Sequence, residues 1–460
     1  MNALPDRHQR FREMRETARS IFTAALHTAS IANAFARHVR CERGILRISD
    51  DLYDLNSYSR VFVVSIGKAA HTMAAALEAQ TGARLEGIVA SPVEPEAQVR
   101  GFRYFQGGHP IPTSESTRAA EAILKSLRAQ DAASLVIFMI SGGGSSIVEK
   151  PIGGSEDGEI SLTDLIATYK ALVHSGAPIA EINAIRKHLS AVKGGRIAQA
   201  AYPAQQVSIL VSDVPDATPD ALASGPTMPD STSIYDCERI AAKYDLLNQF
   251  PPSTADFFRQ HALEETPKSD DPAFIRARWW TVLSNKIALD EAAAAAKTAG
   301  FTVEIDNSCD DWDYEKAADY LLNRLRELRA NETSEGAPSR LRLGGDFQPI
   351  CLLSGGEVTV AVRNGGVGGR NQQFALACAE KISGENITVL SAGTDGIDGN
   401  SPAAGAIVDG STLARAGGTN PVRDALTRFD AYPLFNRLGD AIATGPTGNN
   451  LRDLRILFAY

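Results

Sequence analysis

An α/β protein of two domains, the first built on a covered, mostly parallel sheet, is the fold class that this sequence predicts. Three observations lead there. The 460 residues exceed what one ordinary domain holds, and a hydrophobic content of 44% suffices to fill large cores. Short runs rich in β-branched and aromatic residues alternate with stretches of helical periodicity, the arrangement of a parallel sheet with helices on its faces. Glycine- or acid-rich segments follow directly after those runs, where open α/β sheets keep their ligands.

Taken in order, Phe11, Met14, Ala18, Ile21, Phe22, Ala25 and Ala29 recur at helical spacing and predict an amphipathic helix packed on the first domain. Strands are expected at 61–66, 87–90, 135–140 and 207–211. Helices are expected from about residue 69, from Ser114 to about residue 128, and after Ser161, whose hydroxyl suits an N-cap. The polar, proline-punctuated stretch 230–278 is read as holding the domain connection. This gives residues 1–240 as a first domain, 241–278 as a connecting helical segment and 279–460 as a second α/β domain. In the second domain strands are expected at 281–284, 301–305, 350–353, 357–362, 388–390 and 454–458, and helices through Lys297, over 314–329 and after Arg370. Residues 331–348 are charged, small and aperiodic, and read as a surface insertion.

The bulk properties exclude several classes. A net charge of -9, with both signs interspersed, argues against a nucleic-acid binder held by phosphate neutralisation. Cys41, Cys237, Cys309, Cys351 and Cys378 are widely spaced with no C-x-x-C pair, so neither a zinc site nor a disulfide framework is expected, and a cytoplasmic location fits. The first ten residues lack an apolar h-region, and no apolar run approaches the length of a membrane span. A homodimer is compatible with this reading.

Chemistry collects in the loops. The run 362–377 places Arg370 in a loop of four glycines at the mouth of a helix, with Gly368, Gly369 and Asn371 beside it. Glycine backbone approaches an anion closely, free amides of a first helical turn point at it, and an arginine adds a cationic fork, so phosphate is the ligand such a loop suits; a flexible loop with a solvated arginine is the alternative. Lys68 stands at a strand-to-helix corner, where the turn does not need a lysine. It is not a Walker-A lysine, because Phe62 stands where the first glycine belongs and Ala69 replaces the hydroxyl residue. Gly142, Gly143 and Gly144 with Ser145 and Ser146 suit an anion-binding nest or, alternatively, a tight turn. Asp213, Asp216, Glu357, Asp395 and Asp398 suit a magnesium ion, yet aspartate beside glycine or proline is also ordinary turn chemistry. His109, within Gly-Gly-His-Pro, is placed to reach the site or to pack in its loop, and Arg186 and Lys187 either face an acid substrate or form a solvated helix face.

Segments 65–70, 107–112, 141–146, 182–196, 212–229, 354–357, 368–372, 392–399 and 444–450 together resemble the glycerate 2-kinase family, whose C-terminal part is the MOFRL domain. The resemblance runs in order from about residue 11 to 458. It implies two three-layer α/β/α domains, the first Rossmann-like and the second with a smaller, mixed sheet, and an active site in the interdomain cleft. It also implies ATP-dependent phosphorylation of D-glycerate at the 2-hydroxyl, with ATP and Mg2+ as cofactors and small molecules as the partners. The family's active-site lysine and arginine correspond to Lys68 and Arg370. Family members are also labelled hydroxypyruvate reductases, but Ile147 and Asn371 stand where a G-x-G-x-x-G fingerprint would end in glycine, and no fingerprint acid follows about twenty residues on. A non-catalytic phosphate-ligand binder is the third reading.

Overall fold

The computed structural model describes residues 7–82, 85–95, 97–153, 160–334, 348–362 and 365–460, with the backbone alone at 332–334. Most of the insertion expected at 331–348 lies outside the described residues; the helix before it, Tyr314–Ser334, runs beyond its expected end. The chain divides into two units, one of Ile31–Leu283 and one joining Met1–Ser30 to Ser284–Tyr460. Among the described residues no helix is long and apolar enough to cross a membrane.

In the Ile31–Leu283 unit a helix, Ile31–His38, leads into an antiparallel meander of β1 (Val39–Glu42), β2 (Ile45–Ile48) and β3 (Asp51–Asp54). There follow β4 (Arg60–Ile66), β5 (Glu86–Ser91), β6 (Phe102–Gln106), β7 (Ser134–Ser141), β8 (Gln205–Val211) and β9 (Ala277–Leu283). These form one sheet in the order β6-β5-β4-β7-β8-β9, every pair parallel. β7 is buried along its whole length, which a parallel strand covered on both faces requires and which explains its unbroken apolar run. The winding reverses between β4 and β7. Such a switch point opens a crevice beyond the carboxyl ends of the two strands.

Two expectations are corrected here. The strand expected to open the second domain is β9, which pairs with β8 as the edge of the first sheet. The 241–278 segment is not a connector. Phe250, Phe257, Phe258 and Leu263 pack with Leu165, Leu172, Ile182 and Ile185 as a helical layer of the first unit. Local periodicity reports an element's type but not its partner, and both errors concern partners.

The second unit holds β10 (Thr302–Ile305), β11 (Ile350–Ser354), β12 (Ile387–Gly393), β13 (Gly405–Asp409), β14 (Ala441–Ile442) and β15 (Asp453–Ala459) in the order β10-β11-β15-β12-β13-β14. Only β10 and β11 are parallel, so the sheet is mixed as expected. It is not smaller in strand number, since both sheets have six strands. Residues 357–362 are irregular apart from one bridge, Asp313 to Thr359, rather than a strand. The C-terminal strand β15 lies between β11 and β12 and is buried throughout.

The helix Arg7–Thr28 forms with the expected face, but Phe11, Ala18, Ile21, Phe22 and Ala25 pack on Leu289, Ala293, Phe458 and Ile456 of the second unit, not on the first domain. A charged contact underlies this docking. Arg15 is buried on the same helix and pairs with Asp409 and Asp440, both almost fully buried, and donates to the Thr412 hydroxyl at 3.1 Å. Removing one member of a buried ionic group leaves uncompensated charge. Arg15→Met should therefore lower the unfolding free energy by about 3 kcal/mol or more, read as a shift of the denaturant midpoint at unchanged slope. A loss below about 1 kcal/mol would put the contact in the solvent-screened class.

Candidate active site

Two groups of loops, one in each unit, carry the expected chemistry. In the Ile31–Leu283 unit the chain leaves β4 through Gly67, at φ 121°, a conformation that disfavours a side chain. A Cβ there would also stand 2.2 Å from the Ser141 hydroxyl oxygen and 2.5 Å from its carbonyl oxygen. The corner is tied to the loop after β7, because the Lys68 amide donates to the Gly142 carbonyl at 2.9 Å and the Ala69 amide to the Ser141 hydroxyl at 3.1 Å. This places the exposed Lys68 side chain over the triple glycine. A Cβ on Gly143 would meet His109 Cδ2 at 2.9 Å and Lys68 Cγ at 3.2 Å, and one on Gly142 would meet the Asp213 carboxylate at 1.8 Å. Lys68, His109, Gly142, Gly143 and Asp213, which sequence reading drew from separate loops, thus converge beyond β4, β7 and β8.

Within that loop the amides of Ser146 and Ile147 are taken by the Gly143 carbonyl, and the Ser145 hydroxyl lies 3.1 Å from that of Ser224. Beside it is a concavity of 340 Å³ lined by His109, Gly143, Ser145, Ser146, Tyr169 and Arg186, among others. The Arg186 guanidinium carbon stands 5.0 Å from the centre of the Tyr169 ring, and its Nε is buried without a hydrogen-bond partner. Burial first, and the neighbouring Lys68 charge second, lower the His109 pKa, so the imidazole is neutral near pH 7. Lys187 does not join this group. It is buried and its Nζ binds Asp220 at 2.9 Å and Asp230 at 3.1 Å. Consecutive helical residues point about 100° apart, so one helix face presents Arg186 or Lys187 but not both. A larger concavity of 910 Å³, walled in part by the Lys150–Glu121 and Arg196–Glu264 pairs, contains none of the candidate loops.

In the second unit Arg370 is the first residue of the helix Arg370–Lys381. Its Nε and Nη2 donate to the Asp453 carboxylate at 2.7 and 3.1 Å, and Nη2 lies 2.8 Å from Glu357. Burial opposes the guanidinium charge, but Asp453 and then Glu357 outweigh it and hold the group protonated. Gly368, Gly369, Arg370, Asp395 and Asp398 line a concavity of 490 Å³. Asp395 accepts the Ile397 amide at 3.1 Å.

Three expectations change in this loop. The helix amides of Asn371 and Gln372 are not open to an anion; both donate to Asp398, at 3.1 and 2.8 Å. Gly369 is needed for that cap, since a Cβ would stand 2.3 Å from the Asp398 carboxylate. The Asn371 side chain is buried and accepts from the Ser391 hydroxyl at 2.6 Å, so it serves the core and not a ligand. Glu357 is an ion-pair partner of Arg370 in place of an open metal ligand. Among the described residues no group of three or more His, Cys, Asp or Glu side chains is arranged to hold a metal ion by itself.

Sequence reading missed Asp453 and Arg455. Arg455 is fully buried and donates to the Gly355 and Gly356 carbonyls at 2.8 and 3.1 Å, which shapes the loop that delivers Glu357. The signal was available: an acid and a base at alternate positions of an otherwise apolar strand point to one face and need partners there.

A family model described as a domain of unknown function, DUF4147, matches residues 17–259, and that of the MOFRL family matches residues 350–453. The D-glycerate 2-kinase of Thermotoga maritima is 35% identical over 415 residues, 89% of this chain and 93% of that protein. A protein of Agrobacterium vitis carrying a hydroxypyruvate reductase name is 37% identical over 404 residues, 86% of this chain and 87% of its own length. The crystal structure of a glycerate kinase from Thermotoga maritima matches with a TM-score of 0.80 at 31% identity, covering 98% of this chain and 100% of that one.

Burial pushes the Asp398 carboxyl up to about 7, against the two amides it accepts. Between its ordinary value of 3.8 and about 7 the folded protein keeps a proton that the unfolded chain has released. The folded state then binds more protons, so this group's contribution to stability falls as pH rises through that window. The stability of the wild type relative to Asp398→Asn should therefore decline between about pH 4 and pH 7, by up to roughly 1.4 kcal/mol per pH unit, and level off above that. Denaturant midpoints measured across that range check it, and a flat difference would return the carboxyl to its ordinary range.

Proposed function

The chain belongs to the glycerate 2-kinase family, and from that membership and the two groups of loops we propose that it transfers the γ-phosphate of ATP to the 2-hydroxyl of D-glycerate, giving 2-phosphoglycerate and ADP. One observation carries the reading. Lys68, His109 and the triple glycine meet beyond β4 and β7, where the strand order reverses and an α/β sheet receives its ligand.

Phosphoryl transfer passes through a loose transition state, so a protein catalyses it chiefly by positioning and by neutralising charge. Lys68 and Arg370 are each assigned as a cation that neutralises phosphate charge. Gly142, Gly143, Gly144, Ser145 and Ser146 supply the loop against which the phosphates lie, with Gly368 and Gly369 forming the approach to Arg370. Arg186, over the Tyr169 ring and lining the 340 Å³ concavity, is the fork assigned to the glycerate carboxylate, with neutral His109 lining the same concavity. Lys187 and Asn371 are withdrawn from the ligand set, since both are committed within the core.

The remaining carboxylates fit a magnesium ion carried by the triphosphate, because such an ion keeps most of its waters and takes only one or two protein oxygens. Asp213 in one unit and Asp395 in the other are each a candidate for it, and Glu357 is not, being held by Arg370. Bound there, the ion would neutralise charge on the phosphate oxygens.

The reductase reading gains no support from the loop after β7, whose helix Gly144–Ile147 has four residues, too short to seat a dinucleotide pyrophosphate in the Rossmann manner. Purified protein given ATP, Mg2+ and D-glycerate should produce a substrate for enolase without added phosphoglycerate mutase. Signal that requires the mutase would overturn the regiochemistry. Hydroxypyruvate-dependent NADH oxidation with no ADP formed would replace the kinase by the reductase.

Lys68→Ala and Arg370→Ala should each reduce turnover roughly a hundredfold or more, the scale for removing one preorganised charge-stabilising group. Arg186→Ala should instead act mainly on the KM for glycerate, since a carboxylate clamp serves the ground state and the transition state alike. Near-normal turnover in either of the first two variants, at unchanged melting temperature, would return that residue to a solvated loop.

A further inference from the structure

We infer that Lys193 and Glu149 form a positioning pair that fixes the 142–146 loop and Arg186 in their working geometry. The catalytic consequence rests on the kinase reading above. Both side chains are fully buried and in direct ionic contact. Neither lines the site, and two of their remaining bonds lead to it, at Ser145 and Tyr169. Lys193 Nζ donates to the Ser145 carbonyl at 2.8 Å. Glu149 accepts from the Ser190 hydroxyl at 2.5 Å, from the Lys150 amide at 2.9 Å and from the Tyr169 hydroxyl at 2.8 Å. The Tyr169 ring then carries Arg186 on its face. An unbroken path therefore runs from the Ser145 peptide through Lys193, Glu149 and Tyr169 to the guanidinium.

The loop needs such an anchor. Three consecutive glycines bring no side chain to hold its backbone in place, and Gly143 sits at φ 80°. Holding the Ser145 carbonyl fixes the planar peptide it shares with Ser146, whose amide closes the turn onto Gly143. Stability alone does not account for the pair, because an apolar pair of similar volume is often as stable as a buried salt bridge. A donor aimed at one carbonyl supplies direction, which an apolar pair lacks. Burial and the adjacent Glu149 charge keep the Tyr169 phenol protonated, so it remains a donor to Glu149.

The double variant Glu149→Gln/Lys193→Met removes both charges at nearly constant volume, and its melting temperature should stay close to that of the wild type. Turnover should nevertheless fall roughly thirtyfold or more, in kcat more than in the KM for ATP, the scale of an ångström-level misplacement. Amide hydrogen exchange over residues 142–146 should become faster. Wild-type kcat, or wild-type exchange in the loop, in a stable double variant would overturn the inference. Should the double variant fail to fold, Tyr169→Phe deletes one donor to Glu149 and leaves the pair charged; unchanged exchange and turnover there would overturn it equally. A wild-type protein that makes no phosphoglycerate sinks the kinase reading instead, and the exchange measurement still decides whether the pair holds the loop.

Discussion

Backbone crowding beyond β4 and β7 is the constraint on which the first unit's site depends. The two loops are bonded amide to carbonyl, and they approach so closely that a side chain at Gly67, Gly142 or Gly143 would overlap Ser141, Asp213 or His109. Crowding is what turns four separated sequence motifs into one constellation. Lys68 is neither helix cap nor core residue there. It is exposed, and the backbone beneath it is bonded to the loop after β7 at Gly142 and Ser141, so a cation on such a base costs little reorganisation when charge develops nearby.

The second unit solves a different electrostatic problem. Its arginine is countered in advance by two carboxylates of unequal burial: Asp453 is fully buried on the central strand, while the Glu357 side chain is about one third exposed. An incoming phosphate oxygen competes with the exposed partner far more cheaply than with the buried one. Asp453 thus sets the direction of the guanidinium, and Glu357 occupies the face a ligand would take. Asp398 plays the complementary part, satisfying the helix amides of Asn371 and Gln372 from inside, so that the helix terminus offers neither of them to an anion.

Charges buried away from the loops do comparable positioning. Arg15 ties the N-terminal helix to the second unit through Asp409 and Asp440, and Arg455 holds the carbonyls of Gly355 and Gly356. In each case a buried guanidinium points at a backbone carbonyl or a carboxylate, which Arg15 shares with Arg415 at Asp440 and with Ser411 at Asp409, so its loss removes both a bond and a direction.

Much of this was legible in the chain itself. Apolar runs such as 135–140 specify buried strands whatever their neighbours, the spacing from Phe11 to Ala25 specifies a helix face, and glycine loops after strands specify where a ligand belongs, because each follows from local geometry. The family resemblance likewise rests on residues in order along the sequence. What the chain alone left open were partners. Nothing local says that β9 closes the first sheet, that β15 enters the middle of the second, or that the first helix docks beside that strand; each is decided by which apolar face is available after collapse. The same holds at the site: Arg186 and Lys187 are adjacent and chemically alike, yet only the packing of their helix sends one to the concavity and the other to Asp220 and Asp230. Asp398 read as a turn and Asn371 as a ligand for the same reason, since a carboxylate's partner across 27 residues is a property of the folded chain and not of its neighbours in sequence.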